Sequence, residues 1–188
     1  MNTTRRIEIP EPGDVWLFAY GSLMWEPGFA PAEVQPALLY GYHRAFCVRS
    51  QIYRGTVDEP GLVLGLDRGG SCRGRGLRIA AADRAAVLAY LAEREMPEDI
   101  YSCRRVQLEM AGRRIAGYAL VVNRGNGLYA GRLAAADIAR IIAVSYGKRG
   151  TNRDYLVNTV RHLGQLGIDD GPMHRLLAEV ELHKGERK

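Results

Sequence analysis

The sequence predicts an α+β fold, with strands through the first two thirds, one helix set between them, and a helical last third. Three observations carry this. Apolar and alternating runs bounded by Gly, Pro and polar turns fill residues 15–80 and 101–122, the pattern of buried and half-buried strands. The period changes to helical spacing after Asp83, and again from Leu133 onward.

Taken in order, residues 1–13 are polar and proline-containing and read as a loose arm. Residues 14–188 then form one domain, since no repeat or long linker divides them. Val15-Trp16-Leu17-Phe18-Ala19-Tyr20 is a buried strand that runs into a tight turn at Gly21-Ser22 and Leu23. Trp25 to Phe29 is a loop anchored by two aromatics. Ala37 to Ser50 alternates and reads as a strand, or a strand pair around Gly41. A polar loop covers 51–61, Leu62 to Leu66 is a strand, and Gly69-Gly70 marks a hairpin into Cys72–Ala80. Asp83 suits a helix N-cap, with Val87, Leu88, Tyr90 and Leu91 inward to Glu95 and Pro97 as the stop. Strands over 101–110 and 114–122 flank a turn, and 123–127 is a loop. Leu133, Ile138, Ile141, Ile142 and Tyr146 share a helix face that Gly147 would stop. A second helix begins at Thr151 or Asn152 and turns Tyr155, Leu156, Val160 and Leu163 inward. Pro172 opens a third, with Met173, Leu176, Leu177 and Val180.

The bulk numbers narrow the function classes. At 188 residues with 47% hydrophobic and 25% charged content, the chain has ordinary globular composition. No apolar run approaches the roughly 20 residues of a membrane span. The net charge is +5, but the 23 arginines and three lysines are scattered and carry no RNA-binding aromatic motif. A solvated basic surface, with mild attraction for a small acidic substrate, is expected rather than nucleic-acid binding. Cys47, Cys72 and Cys103 form an odd set without Cys-x-x-Cys spacing, which argues for a reducing cytoplasm and against structural zinc. His43, His162, His174 and His183 are too dispersed for a metal site. Lys148 and Arg149 do not have Walker A spacing. No metal and no cofactor are expected, and oligomeric state is not legible.

Two stretches bear chemistry. Gly21 lets backbone approach a ligand closely, and Ser22 adds a hydroxyl that both donates and accepts, so the turn suits a carboxylate or an oxyanion. An ordinary strand-to-loop corner is the bland alternative. Glu95 lies four residues after Leu91 and seven after Leu88, on the face that points inward. A buried carboxyl needs a partner or a cavity. It pairs with an arginine, reaches water past the helix end, or is a desolvated acid–base group with raised pKa. Glu93 and Glu98 lie elsewhere and read as solvated.

These segments resemble a known family. Tyr20-Gly21-Ser22-Leu23 is similar to the signature turn of the γ-glutamylcyclotransferase superfamily. Tyr90-Leu91-Ala92-Glu93-Arg94-Glu95 resembles the Tyr-Leu-x-x-Arg-Glu of its ChaC branch, and Gly147 to Leu156 resembles that branch's Gly-x-x-Gly-x-Asn-x-x-Tyr-Leu. The Leu166 to Asp170 break is similar to bacterial ChaC proteins. Ala19 departs from the family's usual Gly, and His43-Arg44-Ala45-Phe46 lacks the Arg-Arg-Phe of eukaryotic members.

The resemblance implies a γ-glutamylcyclotransferase-like fold and a small-molecule substrate, glutathione, converted to 5-oxoproline and Cys-Gly. In that chemistry the substrate's α-amine attacks its own γ-carbonyl. Glu95 is implied as general acid/base, and Leu17, Phe18, Ala19, Tyr20, Gly21, Ser22, Leu23 and Tyr155 as substrate-binding residues. Tyr155 also has a plain structural reading as core, with Asn152 as a helix cap. The rival readings are a cyclotransferase for other γ-glutamyl amines or peptides, and a non-catalytic binding or regulatory protein of the same fold.

Overall fold

A computed structural model describes residues 7–95 and 99–184. The expected stop at Pro97 and the solvated Glu98 lie outside the described residues, as do residues 1–6 of the arm. Five strands close a barrel in the order β1-β3-β2-β4-β5: β1 (Val15–Ala19), β2 (Glu33–Ser50), β3 (Gly61–Ile79), β4 (Tyr101–Met110) and β5 (Arg113–Val122). The helices among the described residues are α1 (Arg84–Glu95), α2 (Ala135–Val144), α3 (Asn152–Gln165) and α4 (Gly171–Lys184). The architecture is α+β, with α1 between strands and α2–α4 closing the chain, as the periodicity predicts.

The chain separates into two compact units. The first holds residues 1–44 and 66–126. Here β1 pairs antiparallel with β3 from Val15 opposite Ile79 to Ala19 opposite Arg75, and parallel with β5 at Leu17 and Phe18. The β4–β5 hairpin is regular from Tyr101 opposite Val122 to Met110 opposite Arg113. Phe18, Leu39, Leu66, Val106, Leu108, Met110 and Val121 pack a dry interior. Burying such side chains is worth about 1.5–3 kcal/mol each, which makes this barrel the main store of stability for the turn at the end of β1. Residues 7–13 of the expected arm are anchored here. Ile7 and Ile9 are buried, Arg84 donates to the carbonyls of Ile9 and Glu11, and Tyr118 donates to the Glu11 carboxylate.

The hairpin expected at Gly69-Gly70 is not one. Both glycines have positive φ (103° and 67°), yet the strand continues through them from residue 61 to residue 79. Two left-handed residues in succession suit a reversing turn as well as a bulge, but here the strand runs on through them and β3 keeps neighbours on both sides.

The second unit holds residues 45–65 and 127–188. The end of β2 is joined by the stretch at Leu128–Ala130, and α2, α3 and α4 bury Ile142, Leu156, Leu163, Met173 and Val180. Arg153 on α3 pairs with Glu181 on α4 at 2.6 Å. Two sequence readings are corrected here. Helix α2 ends at Val144 with Ser145 as its cap, so Tyr146 is not on a buried helix face. It is 66% exposed, in a two-residue strand β6 (Tyr146–Gly147) paired with β7 (Gly150–Thr151). Asn152 is not the cap of α3 either. Thr151 is, accepting from the Asp154 N–H at 3.0 Å.

The Asn152 side chain does something else. Wholly buried, its amide accepts from the Leu62 N–H (2.6 Å) and donates to the Leu62 carbonyl (2.7 Å), completing β3 as a neighbouring strand would. Asn152→Ala strands two buried backbone groups at about 1–3 kcal/mol each. Chemical denaturation is expected to show a loss of about 2–4 kcal/mol, and Asn152→Asp, which cannot donate, should not restore it.

Candidate active site

The site grows from the end of β1. Leu17, Phe18 and Ala19 are buried to within 2% of complete, so their side chains belong to the core and what this strand presents is backbone. The chain then turns through Tyr20 and Gly21 into a short 3₁₀ turn (Ser22–Met24), whose Leu23 and Met24 are buried and anchor it. Its first hydrogen bond runs from the Met24 N–H to the Gly21 carbonyl at 2.9 Å. The amides of Gly21, Ser22 and Leu23 precede that bond and are the open donors of a helical start.

Arg44 orients this corner. It is 5% exposed, and its Nε donates to the Tyr20 carbonyl at 2.5 Å while Nη2 donates to the Arg73 carbonyl at 2.8 Å. In a trans peptide the C=O and the following N–H point opposite ways. Pinning the Tyr20 oxygen on Arg44 therefore aims the Gly21 N–H away from it.

Helix α1 supplies the acid. Val87, Leu88 and Leu91 are buried, and Glu95, the last helical residue, continues their face with its side chain 21% exposed. Burial raises the Glu95 pKa, and the adjacent Arg94 guanidinium opposes that without cancelling it. The carboxyl is neither on the outer surface nor remote from the turn, because Arg94 joins the two. Its Nε meets Glu95 Oε1 at 2.8 Å, and its Nη2 donates to Ser22 Oγ at 3.1 Å. Its Nη1 donates to the Tyr90 hydroxyl (2.8 Å) and to the carbonyls of Glu26 (2.8 Å) and Pro27 (3.4 Å). Of the three outcomes open for Glu95 in the sequence, the structure thus combines two: an arginine pair and a desolvated acid with raised pKa.

The Ser22 oxygen accepts from Arg94, which leaves the hydroxyl proton to point elsewhere. The cluster therefore gathers a buried carboxyl, a hydroxyl donor and the open amides of a turn. That set can move a proton and stabilise a negative oxygen. Arg94 is the arginine of the Tyr-Leu-x-x-Arg-Glu segment and Arg44 lies in the His43–Phe46 stretch, but the sequence assigns a role to neither.

Tyr155 belongs to the second unit. Its ring meets Phe46 edge-on at 5.7 Å, and the Arg54 guanidinium lies 5.2 Å from its centre. A cavity of about 320 Å³ beside β2 and β4, lined by Tyr40, Tyr42, Arg105 and Arg114 among others, shares no residue with the turn and the acid. Burial pushes the Cys103 thiol up to about 11, so it is a poor nucleophile at neutral pH. Among the described residues no group of three or more His, Cys, Asp or Glu could hold a metal ion, and no helix is long and apolar enough to cross a membrane.

Comparison with known proteins gives the family and the fold. A family model described as ChaC-like protein matches residues 15–183. The chain is 35% identical over 173 residues to a glutathione-specific gamma-glutamylcyclotransferase of Escherichia coli K12, covering 92% of this chain and 75% of that protein. It is 33% identical to gamma-glutamylcyclotransferase 2-3 of Arabidopsis thaliana, covering 88% of each. The crystal structure of a selenomethionine-labelled, glutathione-specific gamma-glutamyl cyclotransferase from yeast superposes with a TM-score of 0.82. That match has 22% identity and covers 92% of this chain and 97% of that one, so the two share a fold.

The Arg94 clamp depends on Gly28. A Cβ there would fall 1.8 Å from the Tyr90 hydroxyl, and its φ is +77°. Gly131, with φ +73° and open space around it, is the matched control. Gly131→Ala is expected to cost only backbone strain, about 1–2 kcal/mol. Gly28→Ala should cost more in a denaturation midpoint and also lower turnover, by displacing Tyr90 from Arg94.

Proposed function

The chain belongs to the ChaC-like protein family, and from that premise we propose that it is a glutathione-specific γ-glutamylcyclotransferase acting in the cytoplasm. The observation that carries this reading is the pairing of a desolvated glutamate with the Gly21–Ser22 turn through one arginine. The identities of 35% and 33% with named cyclotransferases support the reaction class, and the name of the Escherichia coli relative supports the substrate.

The reaction asks little of the protein beyond folding, proton transfer and charge stabilisation. Held in a near-attack shape, an intramolecular cyclisation gains an effective molarity of about 10⁵–10⁸ M. Glu95 accepts a proton from the substrate's α-ammonium, whose pKa lies at roughly 8 in peptides. The freed amine lone pair then bonds to the γ-carbonyl carbon, and that carbonyl's π electrons move to oxygen. The resulting oxyanion lies against the Gly21–Leu23 amides and the Ser22 hydroxyl, donors of the kind worth about 10²–10³ in rate each. Collapse re-forms the carbonyl and breaks the bond to the cysteinyl nitrogen. Glu95 gives its proton to that nitrogen and, a carboxylate again, takes the surplus proton from the new ring nitrogen and passes it to the departing amine, releasing 5-oxoproline and the ammonium form of Cys-Gly. A raised pKa serves both halves, because the carboxyl must first accept a proton and then give it up. Tyr20 and the backbone from Leu17 to Ala19 carry the corner, and no cofactor has a part in these steps.

Product analysis tests this directly: glutathione should yield equimolar 5-oxoproline and Cys-Gly. Product from γ-glutamyl-alanine but not from glutathione would favour the broader cyclotransferase, and product from neither a binding protein. Glu95→Gln keeps the size of the side chain and should lower kcat by about 10²–10⁴. Its stability at neutral pH should not fall. A carboxyl whose folded pKa is raised contributes stability below its unfolded pKa and loses it as pH rises through the folded value, so above that value the charged form is a net burden. By the same sign, kcat/KM should drop on acidification at a pH above the ordinary glutamate range. Unimpaired activity in Glu95→Gln would assign the base elsewhere.

A further inference from the structure

Residues adjacent on a helix point about 100° apart and do not ordinarily face each other, since the helix has 3.6 residues per turn. Arg94 and Glu95 nevertheless meet at 2.8 Å, and they do so through Nε, the inner nitrogen of the guanidinium. The two outer nitrogens are engaged elsewhere. Nη1 is held by the Tyr90 hydroxyl and the Glu26 and Pro27 carbonyls, and Nη2 by Ser22 Oγ. The guanidinium is planar and rigid, so anchoring its outer edge on the 22–27 loop sets the direction in which its inner edge points. That direction is toward Glu95.

We propose that Arg94 is a positioning residue for the Glu95 acid: its guanidinium buckles the loop after β1 to the end of α1 and holds the carboxylate facing the Gly21–Ser22 corner. The inference rests on the cyclotransferase reading of Glu95 and adds to it how the two halves of the site are kept in register. A lone carboxyl on the last residue of a helix has free rotamers and an open end. Fixing it through a group that also holds Ser22 ties proton transfer and oxyanion binding to one rigid plane. A displacement of 1 Å in such a geometry can cost about 10² in rate.

The same contact has an electrostatic consequence. Burial favours the neutral form of Glu95, and the cation beside it favours the carboxylate that would accept a proton from the substrate. Among the described residues the charged and titratable groups around this pair are few. Arg94 and Tyr90 face it from α1, and from the loop Glu26 lies near enough to act on Arg94. Arg94 is itself held charged: burial works against its charge, and the Tyr90 hydrogen bond with the Glu95 and Glu26 charges outweighs that.

Arginine and lysine separate the two parts of the role. Lysine keeps the charge but has one nitrogen, so it cannot hold Ser22, the loop carbonyls and Glu95 together. Glutamine removes the charge as well. The experiment compares the parent protein, Arg94→Gln, Arg94→Lys and Glu95→Gln. Glu95 is followed by ¹³C NMR titration of its side-chain carboxyl, assigned by the signal lost in Glu95→Gln, with no substrate present. Release of 5-oxoproline from glutathione is measured on the same samples against pH. Arg94→Gln should move the Glu95 titration to higher pH, carry the acid limb of kcat/KM with it, and lower kcat by about 10². Arg94→Lys should leave the titration near the parent value while kcat still falls, and it serves as the test if the glutamine variant does not fold. A parent-like Glu95 titration in folded Arg94→Gln, beside an inactive Glu95→Gln, overturns this inference alone. So does parent-like kcat in Arg94→Lys. Parent-like turnover in Glu95→Gln overturns the inference together with the reading on which it rests.

Discussion

A charged carboxyl mostly withdrawn from water, held by one guanidinium that also grips the opposite wall, is the interaction on which the rest of this site depends. Either half alone is ordinary. A partly buried glutamate on a helix end is costly, and a turn with open amides is common. Joined through Arg94, the carboxyl and the turn are held on one guanidinium, the arrangement the proposed proton transfer and oxyanion binding would use. The cost of burying Glu95 is what raises its pKa above the ordinary glutamate value. The cost of burying Arg44 has a similar return, since its Nε holds the Tyr20 carbonyl and through that peptide directs the Gly21 amide.

The barrel makes the meeting of these elements a matter of length. β1 and β3 are antiparallel, with Val15 opposite Ile79, so β3 ends beside the start of β1 rather than beside the turn. Helix α1 begins five residues later, at Arg84, and must travel back to bring Glu95 to Ser22. Its 12 residues span about 18 Å at 1.5 Å per residue. The five residues of β1 span about 16 Å at roughly 3.3 Å each. What the structure shows of the meeting is its endpoint: Arg94 on the last turn of α1 donates to Ser22 Oγ and holds Glu95.

Which parts of this were legible in the sequence follows from which residues break a local pattern. Gly21-Ser22 interrupts six apolar residues, and Glu95 interrupts an apolar stripe, so both are visible without coordinates. Strand and helix order is legible for the same reason, since period 2 and period 3.6 cannot be confused over ten residues. Arg94 breaks nothing. It is one arginine of 23, sharing a helix face with Tyr90 four residues earlier, and its role arises only when the loop folds over it. Arg44 sits in an alternating strand, where a charged residue reads as solvent-facing, yet it is buried. Asn152 is equally hidden, because a helix-start asparagine reads as a cap until β3 is seen lying beside it with Leu62 unpaired on that side. Gly69-Gly70 misleads in the other direction, since two glycines suit a reversal and a bulge equally well. The pairing of β3 with neighbours on both sides decides between them.

That division has a physical basis. Local patterns record what a residue does to its own element, whereas the site is assembled from what residues do to other elements. The turn and the acid are written locally because strand burial and helix amphipathicity position them. The arginines act across 24 and 72 positions of chain, from Arg44 to Tyr20 and from Arg94 to Ser22. Their contribution is the alignment between two pieces that would each fold without them. An enzyme that relies on its substrate's own amine as nucleophile has little chemistry of its own to perform, so alignment is the larger part of its work. The groups that supply it should then matter to turnover nearly as much as the acid itself. They are also the groups that reading one element at a time is least able to find.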